Sequence, residues 1–80
     1  MFLLYSTTGC HLCDEAVALL RVAGLSEFDV VDIVDDECLF AEYGIRIPVL
    51  VYLDGKLSGK KELAWPFDLL SAREFIRRCR

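Results

Sequence analysis

The chain has 80 residues, 55% of them hydrophobic, and a formal net charge of −4. That length fits one domain, and the apolar share is too high for intrinsic disorder, while an acidic chain without a basic stripe interleaved with aromatics argues against nucleic-acid binding. No apolar run reaches bilayer length, and the opening Met1-Phe2-Leu3-Leu4-Tyr5 is too short for a signal-peptide core and has no basic residue before it, so a soluble, cytoplasmic protein with no membrane partner is expected.

Phe2-Leu3-Leu4-Tyr5 is a short apolar run closed by a polar, glycine-containing turn, and it reads as a buried strand. From His11 to Val22 the apolar positions Leu12, Ala16, Leu19, Leu20 and Ala23 recur at helical spacing, with Gly24 placed to stop the helix. Residues 28–34 are rich in β-branched side chains and read as a second strand. Asp35 or Asp36 can cap a short helix carrying Leu39, Phe40 and Tyr43, ended by Gly44. Ile47 to Leu53 is a third strand, and Asp54-Gly55 then signals a hairpin turn leading back through Lys56-Leu57, although Gly59-Lys60-Lys61 blurs the returning strand.

The last segment is helical, with Leu69, Leu70, Ala72, Phe75, Ile76 and Cys79 on one face. Two starts fit it: Pro66 in a first turn, or a capping box at Ser71-Ala72-Arg73-Glu74. The order is β-α-β-α-β-β-α. The strand–helix–strand half should pair in parallel with a right-handed crossover and the hairpin should be antiparallel, giving an α/β sandwich on a mixed, four-stranded sheet. Six acids and no base lie between Glu27 and Glu37, and four arginines lie from Arg73 to Arg80. These read as solvated faces, with the arginines favourable at a helix C-terminus.

Cysteines stand at 10, 13, 38 and 79. In a cytosolic chain a disulfide framework is not expected, and Cys-x-x-Cys points instead to redox chemistry or metal binding. Cys10 falls where the first strand passes into the first helix, and Cys13 lies one turn on, on the same helix face. Unpaired backbone N–H groups and the helix dipole both favour a thiolate at Cys10, and such thiols fall from a pKa of about 8.5 to roughly 3.5–7.5. That chemistry makes Cys10 an attacking thiolate and Cys13 the thiol that resolves the mixed disulfide.

Next to it, His11 either tunes the thiolate through its imidazolium or is a solvent-facing residue at a helix start, where the dipole disfavours its charged form. Asp14 and Glu15 suit the first turn, and their charges oppose the thiolate. Arg46-Ile47-Pro48-Val49 also has two readings: a proline tolerated at a strand start, or a cis-proline whose bend exposes backbone to an extended substrate. Cys38 and Cys79 lie on apolar helix stripes and read as buried structural residues.

Tyr5-Ser6-Thr7-Thr8-Gly9-Cys10-His11-Leu12-Cys13 followed by Gly44-Ile45-Arg46-Ile47-Pro48-Val49 resembles the thioredoxin fold, and within it the short bacterial glutaredoxin-like proteins that carry Cys-His-Leu-Cys and Trp-Pro-Phe. The resemblance spans nearly the whole chain. It implies a thiol–disulfide oxidoreductase of the thioredoxin-like fold with Cys10 as nucleophile, Cys13 as resolving thiol and Pro48 as the cis-proline of a substrate groove, where Ile47 offers its backbone. No resident cofactor is expected. Three departures set glutathione back as a co-substrate: Thr7 stands where glutaredoxins commonly carry lysine, Arg46-Ile47-Pro48 replaces Thr-Val-Pro, and Trp65-Pro66 replaces a Gly-Gly turn. Arg46 could restore a lost positive charge, and Asp68 aligns loosely with the acid that meets the glutathione amine. Trp65-Pro66-Phe67 is either core packing or an apolar wall of the groove near Pro48 and Cys10.

The expected partners are a disulfide-containing protein or a low-molecular-weight disulfide, with a thioredoxin-like protein or glutathione as reductant, and the chain is expected to be a monomer. Two other classes compete. One is metal or iron–sulfur binding through the same cysteines, which falls short of the usual four converging ligands. The other is a non-catalytic interaction module, which has no need of Cys10, Cys13 and Pro48 together.

Overall fold

In the computed structural model, which describes residues 1–53 and 60–79, the first apolar run forms strand β1 (Phe2–Ser6). Helix α1 (His11–Val22) follows, then strand β2 (Asp29–Asp32), a 3₁₀ turn (Ile33–Asp35) and helix α2 (Glu37–Tyr43). Strands β3 (Val49–Leu53) and β4 (Lys60–Ala64) lead to helix α3 (Leu69–Cys79). The expected order of strands and helices is the observed one.

The sheet runs β2-β1-β3-β4, with β1 parallel to β2 and the pairs β1–β3 and β3–β4 antiparallel. Alternation along the strands divides the core in two. Phe2, Leu4 and Leu50 join Ala16 and Leu20 of α1 and Ala72 and Ile76 of α3. Tyr5, Val49 and Val51 join Ile33 and Tyr43. The Tyr5 and Tyr43 rings lie 4.7 Å apart across that second cluster. Leu4, Leu20 and Leu50 are wholly enclosed, and burying a side chain of that size contributes about 1.5–3 kcal/mol.

Local chemistry explains where the elements stop. Gly24 takes a φ of +99°, a left-handed conformation that ends α1 and that other residues adopt only at a cost. Asp36 caps α2, its carboxylate accepting the Leu39 N–H at 3.1 Å. The second strand is shorter than the apolar run 28–34 suggests. The Asp32 carboxylate accepts the Val34 N–H at 3.0 Å and turns the chain into the 3₁₀ segment.

Two further expectations are corrected. Neither Pro66 nor the Ser71 capping box begins α3; Asp68 does, its carboxylate accepting the Ser71 N–H at 2.7 Å. Cys38 is exposed rather than buried, because α2 turns only Tyr43 fully inward, whereas Cys79 is buried as expected. The returning strand, whose bounds the sequence leaves open, includes Lys60–Ala64 and pairs Leu53 with Lys60 and Val49 with Ala64. The Asp54-Gly55 turn lies outside the described residues. Among the described residues no helix is long and apolar enough to cross a membrane.

Candidate functional site

Strand β1 ends at Ser6, and the chain crosses Thr7-Thr8-Gly9 before α1 begins. Gly9 has a φ of +77°, which lets the turn close without strain. Cys10 is the N-cap of α1: its Sγ accepts the Cys13 N–H at 3.1 Å, and its carbonyl accepts the Asp14 N–H at 3.2 Å. Cys13 lies one turn on, with a Cα–Cα separation of 5.2 Å and the two sulfurs at disulfide distance. The two thiols differ in access, since Cys10 is half-buried while Cys13 is 3% exposed. Asp14 occupies the first turn, and His11 is exposed at the helix start.

A cleft of about 320 Å³ opens beside Cys10, lined by Ser6, Thr7, Thr8, Gly9, Asp14, Val30 and Asp32. The parallel register pairs Ser6 with Asp32, so β1 and β2 end side by side and bring the acid to the cysteine turn. Thr8 Oγ1 donates to Asp32 at 3.2 Å and ties the turn to β2. On the other side of β1, Tyr5 pairs with Val49. The segment Arg46-Ile47-Pro48 therefore emerges from the end of the sheet where the cysteine turn also lies. The Ile47–Pro48 peptide is cis, as is Trp65–Pro66.

The glutaredoxin-like domain (DUF836) matches residues 2–76. The chain belongs to that glutaredoxin-like family. The X-ray structure of XcR50 from X. campestris, a Northeast Structural Genomics target, is 39% identical and covers 100% of both chains with a TM-score of 0.83. The solution structure of the same target is also 39% identical, with a TM-score of 0.82 over 99% of this chain and 95% of that one. The curated proteins yield no match.

The other residues singled out in this glutaredoxin-like domain have varied surroundings. The Arg46 guanidinium is engaged by Glu62 at 3.2 Å and lies 5.2 Å from the centre of the Tyr43 ring. The Tyr43 hydroxyl donates to the same carboxylate, and Lys60 Nζ approaches it to 3.4 Å. Burial alone would raise the Glu62 carboxyl, but hydrogen bonds from Tyr43 and Arg46 and the charge of Lys60 together hold it below its ordinary value. Burial, then the bond to Glu62, pushes the Tyr43 phenol up.

Ile47 is half-buried and its N–H donates to the Tyr43 carbonyl at 3.1 Å; the Arg46 N–H reaches the same carbonyl at 2.8 Å. Pro48 is buried and accepts the Trp65 N–H at 3.0 Å. The Trp65 ring meets Phe67 edge-on at 5.0 Å between centres, and together they border a surface groove with Glu15, Ala18, Leu19 and Val22 of α1. Its backbone thus stands beside Pro48 while its ring packs on α1 and the core below. Asp68 is exposed, and the Ser71 N–H holds its carboxyl below the ordinary value.

Cys10 and Cys13 are brought together, and Ile47 and Pro48 share their end of the sheet. Sequence reasoning missed the cleft formed by Ser6, Thr8 and Asp32. The signal was present in the strand–helix–strand pattern, because parallel neighbours end together and their C-terminal residues share a rim. Among the described residues no three Cys, His, Asp or Glu side chains converge as a metal site.

Proposed function

We propose that this protein is a dithiol–disulfide oxidoreductase acting through Cys10 and Cys13. The observation that carries the reading is the capping geometry: the more accessible Cys10 Sγ receives a backbone N–H at the positive end of α1, with Cys13 one turn behind at disulfide distance. Membership of the glutaredoxin-like family supports it.

The Cys10 thiolate attacks one sulfur of a substrate disulfide, forming a mixed disulfide and expelling one substrate thiolate, which takes up a proton. Cys13, deprotonated, then attacks the Cys10 sulfur, closing the Cys10–Cys13 disulfide and releasing the second thiolate. The protein loses two electrons and the substrate disulfide gains them. The dithiol of a thioredoxin-like protein, or two glutathione molecules in succession, returns the pair to the dithiol and leaves as the corresponding disulfide. The Ile47 N–H is already bonded to Tyr43, so its carbonyl is the backbone group that an extended substrate would meet.

The test is the pH dependence of Cys10 alkylation in the reduced protein, together with trapping on Cys13→Ser. A midpoint well below about 8.5 is expected, as is a stable mixed disulfide on Cys10 of the variant. A midpoint at or above that value, with no trapped species, would reject the oxidoreductase.

A further inference from the structure

The segment between α2 and β3 carries the Ile47–Pro48 peptide, and few groups fix its shape. The Arg46 and Ile47 N–H groups both donate to the Tyr43 carbonyl, at 2.8 and 3.1 Å, and the Pro48 carbonyl accepts the Trp65 N–H at 3.0 Å. Pro48 itself has no N–H to donate. The placement of the Ile47 carbonyl, read above as the group that meets an extended substrate, therefore depends on where Tyr43 is held.

Tyr43 is held at its ring and at its hydroxyl. The ring is fully enclosed and lies 4.7 Å from that of Tyr5, on the strand that leads into the cysteine turn. The hydroxyl donates to Glu62, which the β3–β4 register places opposite Val51, on the face that packs Tyr43. The same carboxylate accepts the Arg46 guanidinium at 3.2 Å and stands 3.4 Å from Lys60 Nζ. Glu62 thus grips the groove segment twice. It holds the residue whose carbonyl closes the turn, and it holds the side chain of the turn's own Arg46. A carboxylate, with about four acceptor sites, can serve these donors together, whereas an amide of the same length offers a single acceptor oxygen.

Resting on the oxidoreductase reading above, we infer that Glu62 is a positioning residue of the reaction, acting through Tyr43 and Arg46 to hold the Ile47 carbonyl where a polypeptide disulfide pairs with it. Neither Cys10 nor Cys13 is among its partners, so the thiolate stays as the start of α1 sets it. A small disulfide that makes no backbone pairing gains nothing from the held groove. A peptide disulfide loses a hydrogen bond when the groove shifts. A purely structural role would lower stability without separating the two substrates.

The experiment follows oxidation of the fully reduced protein by two symmetric, uncharged disulfides: that of a capped peptide with one central cysteine, and bis-hydroxyethyl disulfide. Neutral probes remove direct attraction to Arg46 and Lys60. Each rate constant is divided by that of the same disulfide with dithiothreitol, which removes differences in intrinsic reactivity. Wild type should favour the peptide. Glu62→Ala should lower the peptide-to-small ratio about tenfold, the scale of one backbone hydrogen bond to the substrate. The rate with bis-hydroxyethyl disulfide and the Cys10 alkylation midpoint should not move. Glu62→Gln, which keeps an acceptor for the phenol, and Tyr43→Phe, which keeps the buried ring, should each lower the ratio by less. Circular dichroism checks that each variant is folded at the assay temperature, and the two milder variants carry the comparison if Glu62→Ala is not.

If both disulfides oxidise Cys10 and Cys13 but wild type does not favour the peptide, or the folded variants keep the wild-type ratio, the role of Glu62 is rejected and the redox reading stands. A loss equal for both disulfides rejects it in the same way. If neither disulfide oxidises the pair faster than it oxidises an unactivated thiol, the redox reading falls and the role of Glu62 with it.

Discussion

Helices α2 and α3 begin at Asp36 and Asp68, side chains that serve well as N-caps, but α1 begins at Cys10, whose sulfur is a weaker acceptor. A stronger cap at position 10 would hold the helix start better and remove the thiol from the place where backbone N–H groups stabilise a thiolate. The sequence made Cys10 legible as a helix-start residue because a strand run, a glycine turn and a helical period all converge on it. It did not reveal the Asp68 cap, since Pro66 and Ser71 offered competing starts and only the folded chain shows which N–H groups need an acceptor. Asp68 carries a testable consequence. Its folded carboxyl titrates below the ordinary aspartate value of about 3.9 because it accepts the Ser71 N–H. The charged cap thus adds stability above that pH and loses it as pH falls through the lower folded value. Asp68→Ala should lower the melting temperature at neutral pH, and Asp68→Asn should retain much of it because asparagine also caps. The gap between wild type and Asp68→Asn should narrow from pH about 5 to about 2; a gap independent of pH would rule the charge out.

Among the elements, those with a buried apolar stripe were legible and those facing solvent were not. Helix α1 spans His11–Val22, the segment its periodicity marks. Strand β4 reads Lys-Lys-Glu-Leu-Ala at the sheet edge, where polar side chains dominate and period-two apolar alternation disappears. Its most constrained polar residue, Glu62, joins β4 to Tyr43 at the end of α2 and to Arg46 in the next segment. Nothing in the local sequence signals that meeting, because it depends on β3 placing Val51 opposite Glu62. Tyr43→Phe keeps the buried ring and removes only the hydroxyl, so a loss of about 1 kcal/mol is expected. Glu62→Ala leaves a phenol and two cations without their acceptor and should cost more, about 1–3 kcal/mol. Urea unfolding of both variants checks the order, and an equal or smaller loss for Glu62→Ala would show that the carboxylate does not anchor this corner. The Glu62 contribution is present above its ordinary value of about 4.3 and fades as pH falls through the lower folded value, so its difference from the alanine variant should shrink in acid.

On the scale of the molecule, β1 and β3 form the middle of the sheet and feed both core clusters, whereas β2 and β4 are edges. Helix α2 is the least embedded helix: it has seven residues, Tyr43 is its one buried side chain, and Phe40 remains 54% exposed. A segment with so little buried apolar surface should open at a lower free energy than the sheet centre. Its opening reaches the site, because the Tyr43 carbonyl receives the N–H groups of both Arg46 and Ile47. The cysteine turn instead hangs from β1 and α1, which share the larger core with α3. Native-state hydrogen exchange should therefore show the strongest protection at Leu4, Tyr5, Leu50 and Val51, and early exchange through α2 together with the Arg46 and Ile47 amides. Ala16 and Leu20 in α1 should follow the sheet centre. Tyr43→Phe should speed exchange in α2, Arg46 and Ile47 while leaving the early part of α1 less affected. Uniform protection across α1 and α2, or acceleration of both by Tyr43→Phe, would mean that the groove segment and the dithiol open as one unit. The predicted pattern lets the Ile47–Pro48 side adjust to a substrate while Cys10 and Cys13 keep the spacing that their chemistry requires.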